Sequence, residues 1–164
     1  MKRTTSIFLF FLLLCSLFSC MHTNPYRDDL SPAALTEQMT RALNDSMTYL
    51  EDESGMTDGY FTLPPYVTEK SVRYTSEIEN INELGVFHVT GGNAEAFRSL
   101  LEEAYLARTL EENREFYDSY IPHETRKLED AAVRIYGNYV VYAVCDAADR
   151  NTVFGAVERA LREG

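Results

Sequence analysis

The chain has 164 residues, of which 45% are hydrophobic and 12% aromatic, and its 26 acidic against 15 basic side chains give a net charge of -11. This hydrophobic content excludes a wholly disordered protein and is sufficient for one domain with a core. The negative charge argues against nucleic acid as a partner, because such a surface repels phosphate backbones.

The N-terminus has the layout of a signal peptide. Lys2 and Arg3 precede an almost unbroken apolar run from Ile7 to Phe18. About a dozen residues of helix span roughly 18 Å, which is well short of the roughly 30 Å hydrocarbon core of a bilayer. We therefore expect residues 1–19 to act as an export signal and not as a permanent membrane-spanning helix.

The sequence LFSC at residues 17–20 resembles the lipobox of bacterial lipoproteins, with an aliphatic residue three positions before a cysteine and a small residue just before it. The resemblance implies that Cys20 is lipidated, becomes the mature N-terminus and anchors the chain at the extracytoplasmic face of the cell membrane. Cleavage at another position, with Cys20 incidental, is the alternative. In the lipidated form Cys145 is the one cysteine left, because Cys15 leaves with the signal, so an intramolecular disulfide is excluded.

The segment that follows the cysteine is polar, and residues 20–30 are predicted to form a tether between the membrane and a folded domain. A helix then begins at the capping residue Ser31, with Pro32 in its first turn. Four apolar residues at helical spacing predict its buried side: Leu35, Met39, Leu43 and Met47. The loop over residues 51–65 starts with an acidic stretch that lacks the glycine and the closing glutamate of a calcium-binding loop.

Two β-hairpins are predicted in the rest of the chain. Segments 71–79 and 83–90 contain many β-formers and are expected to pair as the first hairpin. The second is predicted from Gly137-Asn138, a two-residue turn signal between two β-rich runs. Pairing across this turn sets Tyr136 opposite Tyr139 and gives the hairpin one apolar face and one mixed face.

Helices are predicted after each hairpin. A long helix begins at Asn93 and ends before Pro122, and a last helix opens at Asp149 or Asn151. The order, a helix followed by two strand-strand-helix units, predicts a single α+β domain over residues 31–164. Its sheet is expected to be antiparallel, with helices on one face.

Two segments of the chain resemble a known family: KLEDAAVRIYGNYVVYAVCDAAD at residues 127–149 and VRYTSEIENINELGVFHV at residues 72–89. The first is similar to the signature of small Gram-positive lipoproteins that carry domain of unknown function 4358, and the second to the earlier hairpin of that family. The resemblance spans about residues 33–163. It implies a surface-tethered protein without an assigned activity, and Cys20 is the one functional residue that it transfers.

The sequence contains no motif for metal binding, phosphate binding or nucleophilic catalysis, and its three histidines lack metal-ligand spacing. We therefore expect no cofactor and no metal site, and we favour a binding or scaffolding module of the cell envelope over an enzyme. Its partner would be an envelope protein or a glycan. The candidate contact surface is the mixed hairpin face with Arg134, Tyr136 and Tyr139. The alternative is that another segment of the chain covers this face.

A cell-wall hydrolase is the rival hypothesis. Asp118, Glu124 and Asp130 are the carboxylates that could serve it, since hydrolysis of a glycosidic bond needs a pair of acidic side chains. A pocket that holds two of the three would favour the enzyme, whereas their dispersal would count against it.

Overall fold

The computed structural model describes residues 24–52, 59–77 and 79–163. The predicted signal peptide, the predicted lipidation site at Cys20 and the middle of the acidic loop lie outside the described residues. Among the described helices, none combines the length and the apolar composition that a membrane crossing needs.

Within the described residues, the sheet has five antiparallel strands in the order β1-β2-β3-β5-β4. The strands are β1 (Tyr49–Glu51), β2 (Val67–Thr75), β3 (Glu83–Val89), β4 (Ala132–Tyr136) and β5 (Tyr139–Val144). The helical segments are α1 (Pro32–Leu43), α2 (Ala94–Leu100), a π-helical segment (Leu101–Leu106), α3 (Ala107–Tyr120), α4 (Pro122–Glu129) and α5 (Ala147–Arg162). The α+β class and the antiparallel sheet are confirmed.

Both predicted hairpins are present. The second turns at Gly137, whose φ of +61° is easily adopted by a residue without a Cβ atom. Tyr136 lies opposite Tyr139, and Ile135 opposite Val140, which is the predicted register. Because β5 also pairs with β3, the two hairpins join into one sheet with β3 and β5 near its centre.

Helices cover both faces of the sheet, whereas the sequence predicted helices on one face. On one face α1 and α5 pack over a cluster that includes Leu84 and Val141. On the other face α2, the π-helical segment and α4 pack over a cluster that includes Phe87 and Val140. The reason lies in β5, which is buried along its whole length, so that residues on both of its faces need an apolar cover.

The chain before α1 is packed on the domain, although the sequence predicted a tether there. We call residues 24–30 the docked segment. In it, the ring of Tyr26 meets that of Tyr136 edge-on, with 5.4 Å between the ring centroids. The carboxylate of Asp28 accepts a hydrogen bond of 2.9 Å from the side-chain amide of Asn138. These contacts attach the docked segment to the second hairpin and to the face covered by α5.

Gly85 in β3 provides the space for the ring of Tyr142 in β5. The two residues are register partners, and a Cβ atom at position 85 would lie 1.9 Å from Cε1 of Tyr142. Tyr142 is completely buried, so its ring has no solvent-filled space into which it could move. The absence of a side chain at position 85 therefore fixes where this tyrosine lies.

We expect Gly85→Ala to lower the free energy of unfolding by about 2 kcal/mol, because the added methyl group overpacks a closed interior. Chemical denaturation monitored by circular dichroism measures the change. Gly59→Ala is the matched control, since a Cβ atom there meets no atom within 4 Å, and it should change stability by less than about 0.5 kcal/mol. Equal stabilities of the two variants would contradict this account of Gly85.

Candidate functional site

A cavity of about 290 Å³ lies on the sheet face that is covered by α2, the π-helical segment and α4. It is formed where β2, β3 and the connection between them meet the π-helical segment and α3. Its lining residues are Tyr60, Tyr74, Thr75, Asn80, Ile81, Asn82, Glu83, Tyr105, Leu106, Thr109, Asn113, Tyr117, Leu128 and Val144. A cavity of this size, with mixed aromatic and polar walls, has the character of a small-molecule site.

The carboxyl of Glu83 is buried in the wall of this cavity, and it is the group with the most unusual surroundings. Its Oε1 atom accepts hydrogen bonds from the hydroxyls of Tyr105 at 2.6 Å and Tyr142 at 2.5 Å. Tyr105 belongs to the π-helical segment, a local helix form that occurs often at functional sites. Tyr142 is placed by Gly85, as described above, so two separate local features direct the hydroxyls to one carboxyl oxygen.

Burial is the largest influence on the pKa values of Glu83, Tyr105 and Tyr142. It raises the pKa of the Glu83 carboxyl above its ordinary value, and the two tyrosine hydrogen bonds oppose that effect only in part. Burial also raises the pKa of the hydroxyls of Tyr105 and Tyr142, and the negative charge that Glu83 can carry raises them further. Both tyrosines therefore remain hydrogen-bond donors, and burial shifts the carboxyl toward its neutral form.

Two other polar atoms of the cavity wall have no hydrogen-bond partner among the described residues: Oδ1 of Asn82 and Oγ1 of Thr109. Asn82 is 5% exposed, and its Nδ2 atom donates to the hydroxyl of Tyr49 at 3.1 Å. Buried polar atoms in folded proteins are nearly always satisfied, so each exception needs an explanation. Both atoms belong to residues that line the cavity but are themselves buried, so a polar molecule in the cavity would reach them after a small movement of these side chains.

One wall of the cavity is fixed by a buried ion pair. Glu124 and Lys127 of α4 lie 2.9 Å apart, between Oε2 and Nζ, and their side chains are 6% and 5% exposed. The same Oε2 atom accepts a hydrogen bond of 2.9 Å from the backbone N–H of Ile81, which lines the cavity. The connection between β2 and β3 is thereby joined to α4.

Comparison with known families connects this domain to one of them. A family model described as "Domain of unknown function (DUF4358)" matches residues 39–145, more than half of the chain. The chain belongs to the DUF4358 family. This confirms the family resemblance of the two hairpin segments. No curated protein and no solved structure matches the chain. All residues that line the cavity lie inside the matched part of the DUF4358 domain.

The contact face predicted from Arg134, Tyr136 and Tyr139 is covered in the DUF4358 domain, so this prediction is corrected. Tyr136 is 4% exposed and Tyr139 is fully buried. Their hydroxyls donate to the backbone carbonyls of Phe154 in α5 and Leu30 in the docked segment. Another part of the chain covers this face, which was the alternative to a contact surface.

Arg134 does not restore a contact surface. Its guanidinium lies over the ring of Phe154, 4.4 Å from the ring centroid, and donates to Oδ1 of Asn151 at 3.0 Å. Both partners belong to α5, so this arginine holds the last helix against β4.

The three carboxylates of the hydrolase hypothesis have separate surroundings. Glu124 forms a buried ion pair with Lys127, whereas Asp118 and Asp130 are exposed. Asp118 accepts a hydrogen bond from Thr125 at 2.9 Å. None of the three lines the cavity beside Glu83. This dispersal counts against the grouping of carboxylates that the sequence offered for a hydrolase.

Cys145, the cysteine predicted to stay free, is buried and has no disulfide partner among the described residues. Burial raises the pKa of its thiol to about 11, so the thiol is protonated and unreactive at neutral pH. Within residues 24–52, 59–77 and 79–163, no three metal-ligating side chains form a group that could hold a metal ion.

Sequence reasoning missed Glu83, Asn82 and Thr109 as site residues. Glu83 begins the strand segment ELGVFHV, where a charged residue is typical of an exposed strand end. The available signal was Gly85, since a glycine inside a strand marks a close approach by another group. It could not identify Tyr142 as that group, nor Tyr105 as the second donor, because these contacts depend on how the sheet and the helices pack.

We expect Glu83→Gln to remove a pH dependence of stability from the DUF4358 domain. A carboxyl with a raised folded-state pKa contributes fully below the ordinary glutamate pKa of about 4.3 and loses this contribution as the pH rises through the raised value. As the pH rises above about 4.3, the free energy of unfolding of the wild type should therefore fall relative to that of the variant. Denaturant unfolding at several pH values measures both curves.

Glu115→Gln serves as the control for that experiment, because Glu115 is an exposed glutamate in α3. Its stability curve should run parallel to that of the wild type. A Glu83→Gln curve that is also parallel to the wild type would show that the buried carboxyl has no raised pKa.

Proposed function

We propose that this member of the DUF4358 family is a lipid-anchored extracytoplasmic lipoprotein whose domain binds another component of the cell envelope. The cavity beside Glu83 is the observation that carries the binding function. Its wall contains the buried carboxyl of Glu83, which accepts hydrogen bonds from two tyrosine hydroxyls, and the unpartnered side-chain oxygen of Asn82. A cavity that serves packing alone has no need for polar atoms that the chain itself leaves unsatisfied.

The anchor is supported by the sequence of residues 17–20, in which Cys20 follows a small residue and an apolar run. The acyl chains of a lipidated cysteine insert into one leaflet, and two or more chains make the attachment durable. The domain would then be held at the membrane surface, without a protein segment that crosses the bilayer.

The position of the docked segment supports a definite orientation of an anchored domain relative to the membrane. The side chain of Asn24 lies against the turn at Gly137. The turn is at the end of β3 that contains His88, since His88 pairs with Tyr139, whereas Glu83 pairs with Val144 at the other end. Glu83 and His88 are about 17 Å apart along the strand. An anchor at Cys20 would therefore place the cavity at the end of the sheet away from the point of attachment.

Metabolic labelling with an alkynyl fatty acid checks the anchor. We expect the wild type and Cys145→Ala to incorporate the label and Cys20→Ala to lose it, because Cys145 is buried and protonated whereas Cys20 is the predicted acceptor. Intact-mass analysis should show a diacylglyceryl adduct on a chain that begins with Cys20. An unmodified chain with another N-terminus would refute the anchor.

Photo-crosslinking in living cells checks the binding function. A benzophenone amino acid in place of Tyr117, which lines the cavity, should give an adduct with an envelope component. The same group in place of Phe116, a neighbour on α3 that is 50% exposed and lies outside the lining, is the matched control and should not give this adduct. Gel shifts and mass spectrometry of the purified adducts identify what was captured. Identical adducts from both positions would speak against the cavity as the binding site.

A further inference from the structure

The charge of the cavity restricts the ligands that it can take. Among the described lining residues, Glu83 is the one carboxylic acid, and none is a lysine, arginine or histidine. The guanidinium of Arg108 lies over the Tyr60 ring, 5.5 Å from its centroid, and is paired with Glu112 at 2.7 Å. An anionic ligand would find no partner in such a wall, and the net charge of -11 would repel it as well.

A cationic ligand is also disfavoured. It would need the carboxylate of Glu83 as its counter-charge, yet this carboxyl is buried, and one of its oxygens already accepts two tyrosine hydroxyls. Burial also raises the pKa of this carboxyl, which disfavours the charged form that a cation would need. The cavity is therefore matched to an uncharged ligand.

The polar atoms of the wall call for a ligand that both donates and accepts hydrogen bonds. Oδ1 of Asn82 is an acceptor without a donor, and the hydroxyl of Thr109 can act in either role. A hydroxyl group matches both, because it carries one donor and two acceptor sites. Several hydroxyl groups on one small molecule could satisfy these atoms together.

The apolar part of the wall combines four tyrosine rings with the aliphatic side chains of Ile81, Leu106, Leu128 and Val144. Tyr60 and Tyr105 meet edge-on at a centroid distance of 5.2 Å, and Tyr74 and Tyr117 contribute two more rings to the lining. The face of an aromatic ring is electron-rich and attracts the weakly positive C–H groups of a saturated ring. Aromatic rings beside amide and hydroxyl groups thus match a molecule with hydroxyls around its edge and C–H groups on its faces.

We propose that the cavity beside Glu83 binds an uncharged sugar ring, and this assignment of ligand class rests on the binding function proposed above. Thr109 and Asn82 hydrogen-bond its hydroxyl groups, and the tyrosine rings contact its C–H face. Glucose, galactose, mannose and N-acetylglucosamine are the neutral probes. Glucosamine and glucuronate are matched charged probes, because each differs from a neutral sugar by one cationic or anionic group.

Binding of these probes to the full chain in detergent micelles is measured by saturation-transfer NMR and by isothermal titration. We expect at least one neutral sugar to bind with a dissociation constant of about 1 mM or less, and glucosamine and glucuronate to bind about tenfold more weakly. Absence of binding by all four neutral sugars would overturn the proposal. So would a charged probe that binds as tightly as its neutral counterpart.

Variants assign the binding to this cavity. Thr109→Val and Tyr117→Leu remove one hydrogen-bonding group and one ring, and each should weaken the neutral sugar about tenfold. Thr40→Val in α1 and Tyr120→Leu in α3 make the same chemical changes outside the lining, Tyr120 being 73% exposed, and should leave the affinity within about twofold. Thermal melts confirm that each variant is folded. Equal affinities of cavity and control variants would refute the assignment.

The outcomes separate the two proposals. If no neutral sugar binds but Thr109→Val abolishes the photo-crosslink formed from position 117, the cavity is a binding site and the ligand class is wrong. If sugar binding is lost in the cavity variants while no crosslink forms in cells, the ligand class is supported and the envelope function fails.

Discussion

The hydrogen bonds from two tyrosine hydroxyls to the buried carboxyl of Glu83 are the constraint on which the candidate site depends. A carboxyl taken out of water costs several kcal/mol unless its oxygens find donors. Tyr105 and Tyr142 provide them from different elements, one from a π-helical segment and one from the strand opposite Gly85. The carboxyl thus ties the helical layer to the sheet, and the space beside it is the cavity.

The two-sided cover of the sheet gives this arrangement its rigid base. The central strands β3 and β5 bury residues toward both helical layers, so neither can shift without disturbing two cores. The buried pair of Glu124 and Lys127 adds a second connection, since it binds the backbone at Ile81 as well. Such a pair is weak evidence for stability, but it fixes geometry well, because either charge alone would be costly in the interior.

The sequence predicted the helices and strands of this fold better than it predicted which segments cover the faces of the sheet. The turn at Gly137-Asn138 set the register of its hairpin correctly, because turn chemistry and side-chain alternation are local properties. The helix at Pro32 was also foreseen, although it ends at Leu43, where Asn44 adopts a left-handed conformation. Met47, predicted as part of its buried side, therefore lies beyond the helix.

Tertiary contacts account for what the sequence did not reveal. A face with Tyr136, Tyr139 and Arg134 has an amphipathic pattern that suits either a partner or the chain itself, and only the positions of α5 and the docked segment distinguish them. Likewise, a glutamate at a strand end is indistinguishable from an exposed one until two tyrosines are known to reach it. The class and order of the secondary-structure elements follow from local sequence patterns. The cavity forms where residues from distant parts of the chain come together, which local patterns do not reveal.

The docked segment also limits how far the domain could travel if Cys20 is acylated. Four residue-to-residue steps separate Cys20 from Asn24, and a fully extended chain covers at most about 14 Å over that length. A longer polar spacer would let a domain sweep a large hemisphere above the lipid headgroups. With so short a linker the domain would stay close to the bilayer. Its cavity would then reach only a thin layer at a nearly constant distance from the membrane surface. Molecules that never enter that layer would not reach the cavity, however tightly they could bind to it.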